Sequence, residues 1–63
     1  MWVVYQESGD STVFADDGWR ETRYISEAER FESKGDAVLC AAAMRAAHGG
    51  QWHAAKYKEA VRW

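Results

Sequence analysis

The sequence has no proline, a single cysteine and no long hydrophobic run, and each absence removes a class of protein. With Cys40 alone there is no intramolecular disulfide, which excludes the small secreted scaffolds held by several bridges and favours a reducing compartment, the bacterial cytoplasm. The longest apolar run, Ala37 to Met44, is far shorter than the roughly 20 residues that span a bilayer. The opening MWVVYQ has no basic stretch ahead of an apolar core, so it does not read as a signal peptide. No repeat and no linker divides residues 1–63, which predicts one domain.

Aromatic residues are present in quantity. A domain of about 60 residues buries only about 60% of its unfolded surface, so each large side chain counts. Four Trp, three Tyr and two Phe supply that bulk. Each buries about 150–250 Å².

Charge is unevenly placed. Residues 1–36 hold nine of the ten acids and four bases, while residues 37–63 hold Glu59 against Arg45, Lys56, Lys58 and Arg62. The pattern predicts an acidic part and a basic part on one small molecule.

The element pattern is α+β. Trp2 to Gln6 is rich in β-formers, Ser8-Gly9-Asp10-Ser11 is a turn cluster, and Thr12 to Ala15 is a second strand closing a hairpin. Asp16-Asp17-Gly18 is a second tight turn, because Asp-Gly tolerates positive φ. Residues 19 to 25 alternate, with Trp19, Glu21, Arg23 and Ile25 opposite Arg20, Thr22 and Tyr24, and predict a third strand. Residues 26 to 32 read as irregular, with Phe31 turned into the core. Ser33 is a good N-cap with Asp36 three residues on, and Gly49 suits a helix end, so a helix is predicted over Lys34 to His48. Gln51 to Trp63 alternates and predicts a final strand, although Ala-Lys-Tyr-Lys-Glu-Ala also has helix propensity. The expected architecture is a small antiparallel sheet, a three-stranded meander plus a C-terminal strand, with one helix on one face, in the order βββαβ.

The helix raises a question of its own. Ala37, Cys40, Ala41, Met44 and Ala47 share a face suited to close packing on a sheet, with His48 at its end. Val38, Leu39, Ala42, Ala43 and Ala46 make the remainder apolar too. A helix apolar all round is normally buried all round, so this second stripe is a candidate homodimer face.

Catalytic and ligand chemistry is poorly represented. Cys40, His48 and His53 are the best metal candidates, and their spacing matches no zinc pattern. Cys40 falls mid-helix, Ser8 and Ser11 have no neighbouring His, and Asp16-Asp17 is explained by its turn. Gly49-Gly50 follows a helix instead of preceding one, which is the wrong order for a phosphate cradle, and Ser33-Lys34-Gly35 is a very weak anion motif. No enzyme, metal or cofactor is expected.

Action by contact is therefore the expectation. Asp10, Asp16, Asp17, Glu21, Glu27, Glu29 and Glu32 could stand in for a phosphate backbone against a basic groove on a nucleic-acid-handling protein, with Trp19 and Tyr24 as aromatic anchors. The alternative is direct nucleic-acid binding through Trp52, His53, Lys56, Tyr57, Lys58 and Arg62, where bases and aromatics interleave. In its shortness, its acidity and its want of enzymatic motifs the chain resembles the anti-CRISPR proteins of phages and mobile elements. That resemblance implies an inhibitor that covers a surface of a CRISPR effector complex, in some members by presenting DNA-like negative charge. It carries over no individual residue.

Overall fold

The computed structural model describes residues 1–60, with side chains through residue 58. Strands β1 (Trp2–Ser8), β2 (Ser11–Ala15) and β3 (Glu21–Thr22) precede helix α1 (Lys34–His48), strand β4 (His53–Lys56) and a final helical turn, α2 (Tyr57–Ala60). The strands form one antiparallel sheet in the order β3-β2-β1-β4, and α1 packs on it, so the architecture is the expected α+β.

The β1–β2 hairpin closes with Ser8 opposite Ser11, leaving Gly9 and Asp10 as a two-residue turn. Gly9 takes φ +62, and Asp10 has no such positive value. Positive φ at the first central position alone is the arrangement that glycine permits there and that suits strand twist.

The third strand is shorter than residues 19 to 25 predict. Only Glu21 and Thr22 pair, with Ala15 and Phe14. Local hydrogen bonds draw the chain off the sheet: Thr22 Oγ1 accepts from the Tyr24 N–H at 3.2 Å and donates to Glu27 Oε1 at 2.8 Å. A 3-10 turn follows over Ile25–Glu27. The next segment returns to the sheet at its end, where Ala28 bridges Asp16 and Phe31 bridges Trp2. Phe31 is half-buried against the core beneath α1, close to its expected place.

Helix α1 has the predicted bounds and caps. Ser33 Oγ accepts from the Asp36 N–H at 3.2 Å, and Gly49, at φ +72, ends the helix with its N–H on Arg45 O. Gly50 continues the turn at φ +89, a conformation that favours glycine, and a Cβ there would displace the amide end of the Gln6 side chain.

The extended stretch predicted over Gln51 to Trp63 is extended only from His53 to Lys56. β4 runs out of partner at Trp2, which lies opposite Lys56, and the Tyr57 N–H makes one more bond to Met1 O at 2.8 Å. Beyond that point the helix propensity of Tyr57–Ala60 decides the backbone. Val61, Arg62 and Trp63, which the same reading assigned to the strand, lie outside the described residues.

Strand alternation sends Val4, Val13 and Ala15 to the α1 side, where they pack with Ala37, Cys40, Ala41, Met44 and Trp52. Small residues on the helix let it lie close, and Trp52 fills the space. Ala47, placed by the sequence on this buried face, is exposed on the last turn. The opposite sheet face is covered as well. Val3, Phe14 and Ala28 are buried there, with Tyr5, Ile25 and Tyr57 packed around them.

Candidate interaction surface

The most constrained piece of exposed structure is the loop from Asp16 to Arg20. Asp16, half-buried at the end of β2, turns its carboxylate inward on the loop: Oδ1 accepts from the Gly18 and Arg20 N–H groups, each at 2.9 Å. The Trp19 N–H donates to Asp16 O at 3.1 Å and the Asp16 N–H to Arg20 O at 2.9 Å. From α1, His48 Nε2 lies 2.9 Å from Trp19 O. A carbonyl only accepts, so Nε2 carries the proton. These bonds hold Trp19 at φ +59, the one described non-glycine residue with positive φ. The Asp-Gly turn was expected to place that strain on its glycine. It falls instead on a bulky aromatic, where the left-handed region costs about 1–2 kcal/mol. The Trp19 side chain is 51% exposed, and Tyr24, past β3, is 67% exposed.

The predicted acids divide into groups. Asp17, Glu21 and Glu27 are exposed around this loop and the turn after β3, although Glu27 also accepts the Thr22 hydroxyl. Glu29 is half-buried beside the end of β2, its N–H on Ala15 O at 2.9 Å. Asp16 is committed to the loop. Glu32 is exposed one residue beyond the Phe31–Trp2 bridge. Asp10 stands apart at the hairpin tip, at the other end of β2 and about 20 Å from Asp16 at 3.4 Å per residue. Arg20 and Arg23, both exposed, sit within the same segment, so the surface is acid-rich and of mixed sign.

The other candidates fall elsewhere. On α1, Leu39 is 71% and Val38 45% exposed, Ala42 and Ala46 are exposed, and Ala43 is half-buried. The outer stripe is thus largely open to solvent. Trp52, expected on a base-stacking strand, is fully buried, its indole N–H on Gly49 O at 2.8 Å and its carbonyl on Arg45 Nη1 at 2.6 Å. It is a core residue and is not available to stack on a base. His53 is exposed beside the Tyr5 ring at 5.6 Å, and Lys56 and Lys58 are exposed. Arg62 lies outside the described residues. Cys40 is buried; desolvation pushes its thiol up from its ordinary value, and the negative charge of Glu29 adds to the rise. Among the described residues no three of His, Cys, Asp and Glu gather in a metal-binding group. No described helix is long and apolar enough to cross a membrane.

Sequence reasoning missed three features: the role of Asp16, the strained Trp19, and the fixing of its carbonyl by His48. The Asp-x-Gly spacing was a usable signal for the first, since Asp side chains accept from backbone two residues on. The other two depend on where α1 ends relative to the loop. No protein-family model matches the chain, and no curated protein or solved structure does either.

Proposed function

We propose that this protein acts by contact, as a binding domain that docks on a larger protein through the loop and turn around β3, with Trp19 as its anchor. The observation that carries this reading is Trp19 itself. A glycine would relieve the strain at φ +59, yet the position holds an exposed tryptophan whose backbone is held by hydrogen bonds from two elements. Strain of this kind persists where the surroundings over-determine it, and a loop whose backbone is already held loses little backbone freedom on docking. Tyr24 adds a second exposed aromatic, and the same segment carries the exposed acids Asp17, Glu21 and Glu27 alongside Arg20 and Arg23. The partner that fits is a protein with a basic surface, such as one that handles nucleic acid. The protein is then an inhibitor of the anti-CRISPR type, covering the surface that nucleic acid would occupy.

The test uses Trp19→Gly and Asp17→Lys/Glu21→Lys in pull-downs from bacterial lysate beside the unaltered protein. Trp19→Gly is expected to melt at the same temperature or higher while losing the retained partner. The charge variant is expected to weaken retention, and the partner to release its nucleic acid to the unaltered protein only. Identical retained proteins with Trp19→Gly would sink the reading.

A further inference from the structure

The opposite edge of the sheet carries a second arrangement, built from three separate segments around Trp2. Residues Trp2 and Lys56 lie directly opposite in the β1–β4 pairing. The backbone N–H and C=O of Trp2 bond Phe31, on its other side, at 2.7 and 2.8 Å. Trp2 and Lys56 are therefore a non-hydrogen-bonded pair, the kind in which side chains come closest. Lys34, the first residue of α1, reaches the same ring. Its Nζ is 5.6 Å from the ring centroid, and that of Lys56 is 5.9 Å. Trp2 is half-buried, with its inner side against the core, while both lysines are exposed. Among the described residues no carboxylate pairs with either ammonium, including Glu32 and Asp36, the acids nearest to Lys34 in sequence; the side chain of Glu59, the acid nearest to Lys56, lies outside the described ones.

Two like charges thus share one aromatic ring, and no described carboxylate is ion-paired to either. Each cation–π contact at an exposed site is worth only about 0.5–1 kcal/mol, so either lysine leaves the ring readily for a stronger anion. A ring that lysines vacate can take a base on its face. Of the acids that make the protein negative overall, Glu32 and Asp36, two residues either side of Lys34, lower the potential at this corner, while those of the β3 side lie farther off. Asp17 and Glu21 belong to the β3 side, two strand spacings from Trp2, about 10 Å at 4.8 Å each. That exceeds the screening length of about 8 Å at physiological salt.

We infer that the Trp2–Lys34–Lys56 corner binds single-stranded nucleic acid, with one base on the Trp2 ring and the flanking phosphates on the two lysines. Arg30 is not part of the site. Its guanidinium carbon sits 4.6 Å from the Tyr57 ring centroid and its Nη2 donates to Tyr57 Oη at 3.2 Å. The inference does not depend on docking through Trp19.

Fluorescence anisotropy of a labelled short oligo(dT), titrated with the intact protein at several salt concentrations, tests it. Saturable binding is expected, with log K falling against log salt at a slope of about −1.4, two phosphates at roughly 0.7 each. Lys34→Gln/Lys56→Gln is expected to weaken binding at least about tenfold and flatten the slope. Trp2→Leu, checked for folding by circular dichroism, is expected to weaken binding about fivefold or more with the slope kept, since stacking does not release counterions. Trp19→Gly should bind the oligonucleotide unchanged, which separates this site from the docking surface. Absent saturation at low salt, unaltered affinity in the double lysine variant, or equally effective displacement by polyglutamate would each overturn the inference.

Discussion

Asp16 and Asp17 are adjacent acids with different tasks. Asp16 spends its carboxylate on the Gly18 and Arg20 N–H groups, whereas Asp17 is exposed beside the loop. Replacing Asp16 with Ala removes both charge-assisted bonds and is expected to cost about 1–2 kcal/mol in urea unfolding, while Asp17→Ala stays within about 0.5 kcal/mol. Equal effects would mean that the loop is not organised by Asp16. Cys40 offers a second single-residue test. Burial raises its folded-state thiol above the ordinary 9.0, so the folded state holds the proton more tightly than the unfolded chain does. The associated stability is fully present below about pH 9 and is lost as pH rises through the raised folded value. Melting temperature followed on the alkaline side should therefore fall less steeply in Cys40→Ala than in the unaltered protein, whatever the baseline difference between them.

At the scale of elements, α1 presents a buried and an open stripe whose weights differ. Met44 is fully buried between helix and sheet, and Met44→Ala is expected to cost about 2–5 kcal/mol. Leu39, on the outer stripe, should change chemical stability by less than about 0.5 kcal/mol when replaced by Ala. The helix was legible because its signals are local: Ser33, Asp36 and Gly49 each act within one turn of their own position. The β1–β2 hairpin was legible for the same reason, through Gly9. β3 was misjudged because alternation over residues 19 to 25 is also satisfied by a chain that pairs for two residues and then folds on the Thr22 hydroxyl. The end of β4 was misjudged because it is fixed by the length of β1, a partner some 50 residues away, and not by anything in residues 57 to 60. The same distinction separates the candidate sites. Trp19 and Tyr24 were legible as aromatics within an acid-rich segment, although on a predicted strand, whereas the meeting of Trp2, Lys34 and Lys56 exists only once three elements are assembled.

Taken as a whole, the molecule sets an acid-rich edge bearing Trp19 apart from a corner where two lysines meet the Trp2 ring. An apolar anchor and a ring of charge act on different steps of an encounter. Charge steers approach over distances that salt shortens, and a packed aromatic resists departure once contact is made. For a partner captured through the β3 edge, surface-plasmon traces should divide accordingly. Asp17→Lys/Glu21→Lys is expected to slow association roughly tenfold at low salt, with the difference shrinking as salt is raised. Trp19→Gly is expected to leave association within about threefold and to speed dissociation by tenfold or more, at low and high salt alike. Should both variants act on association alone, Trp19 would be a bystander within a charged surface, and the strained loop would need another reason to exist. If both acted on dissociation alone, the acids would be making close ion pairs, and charge would not be what brings the partner to this edge.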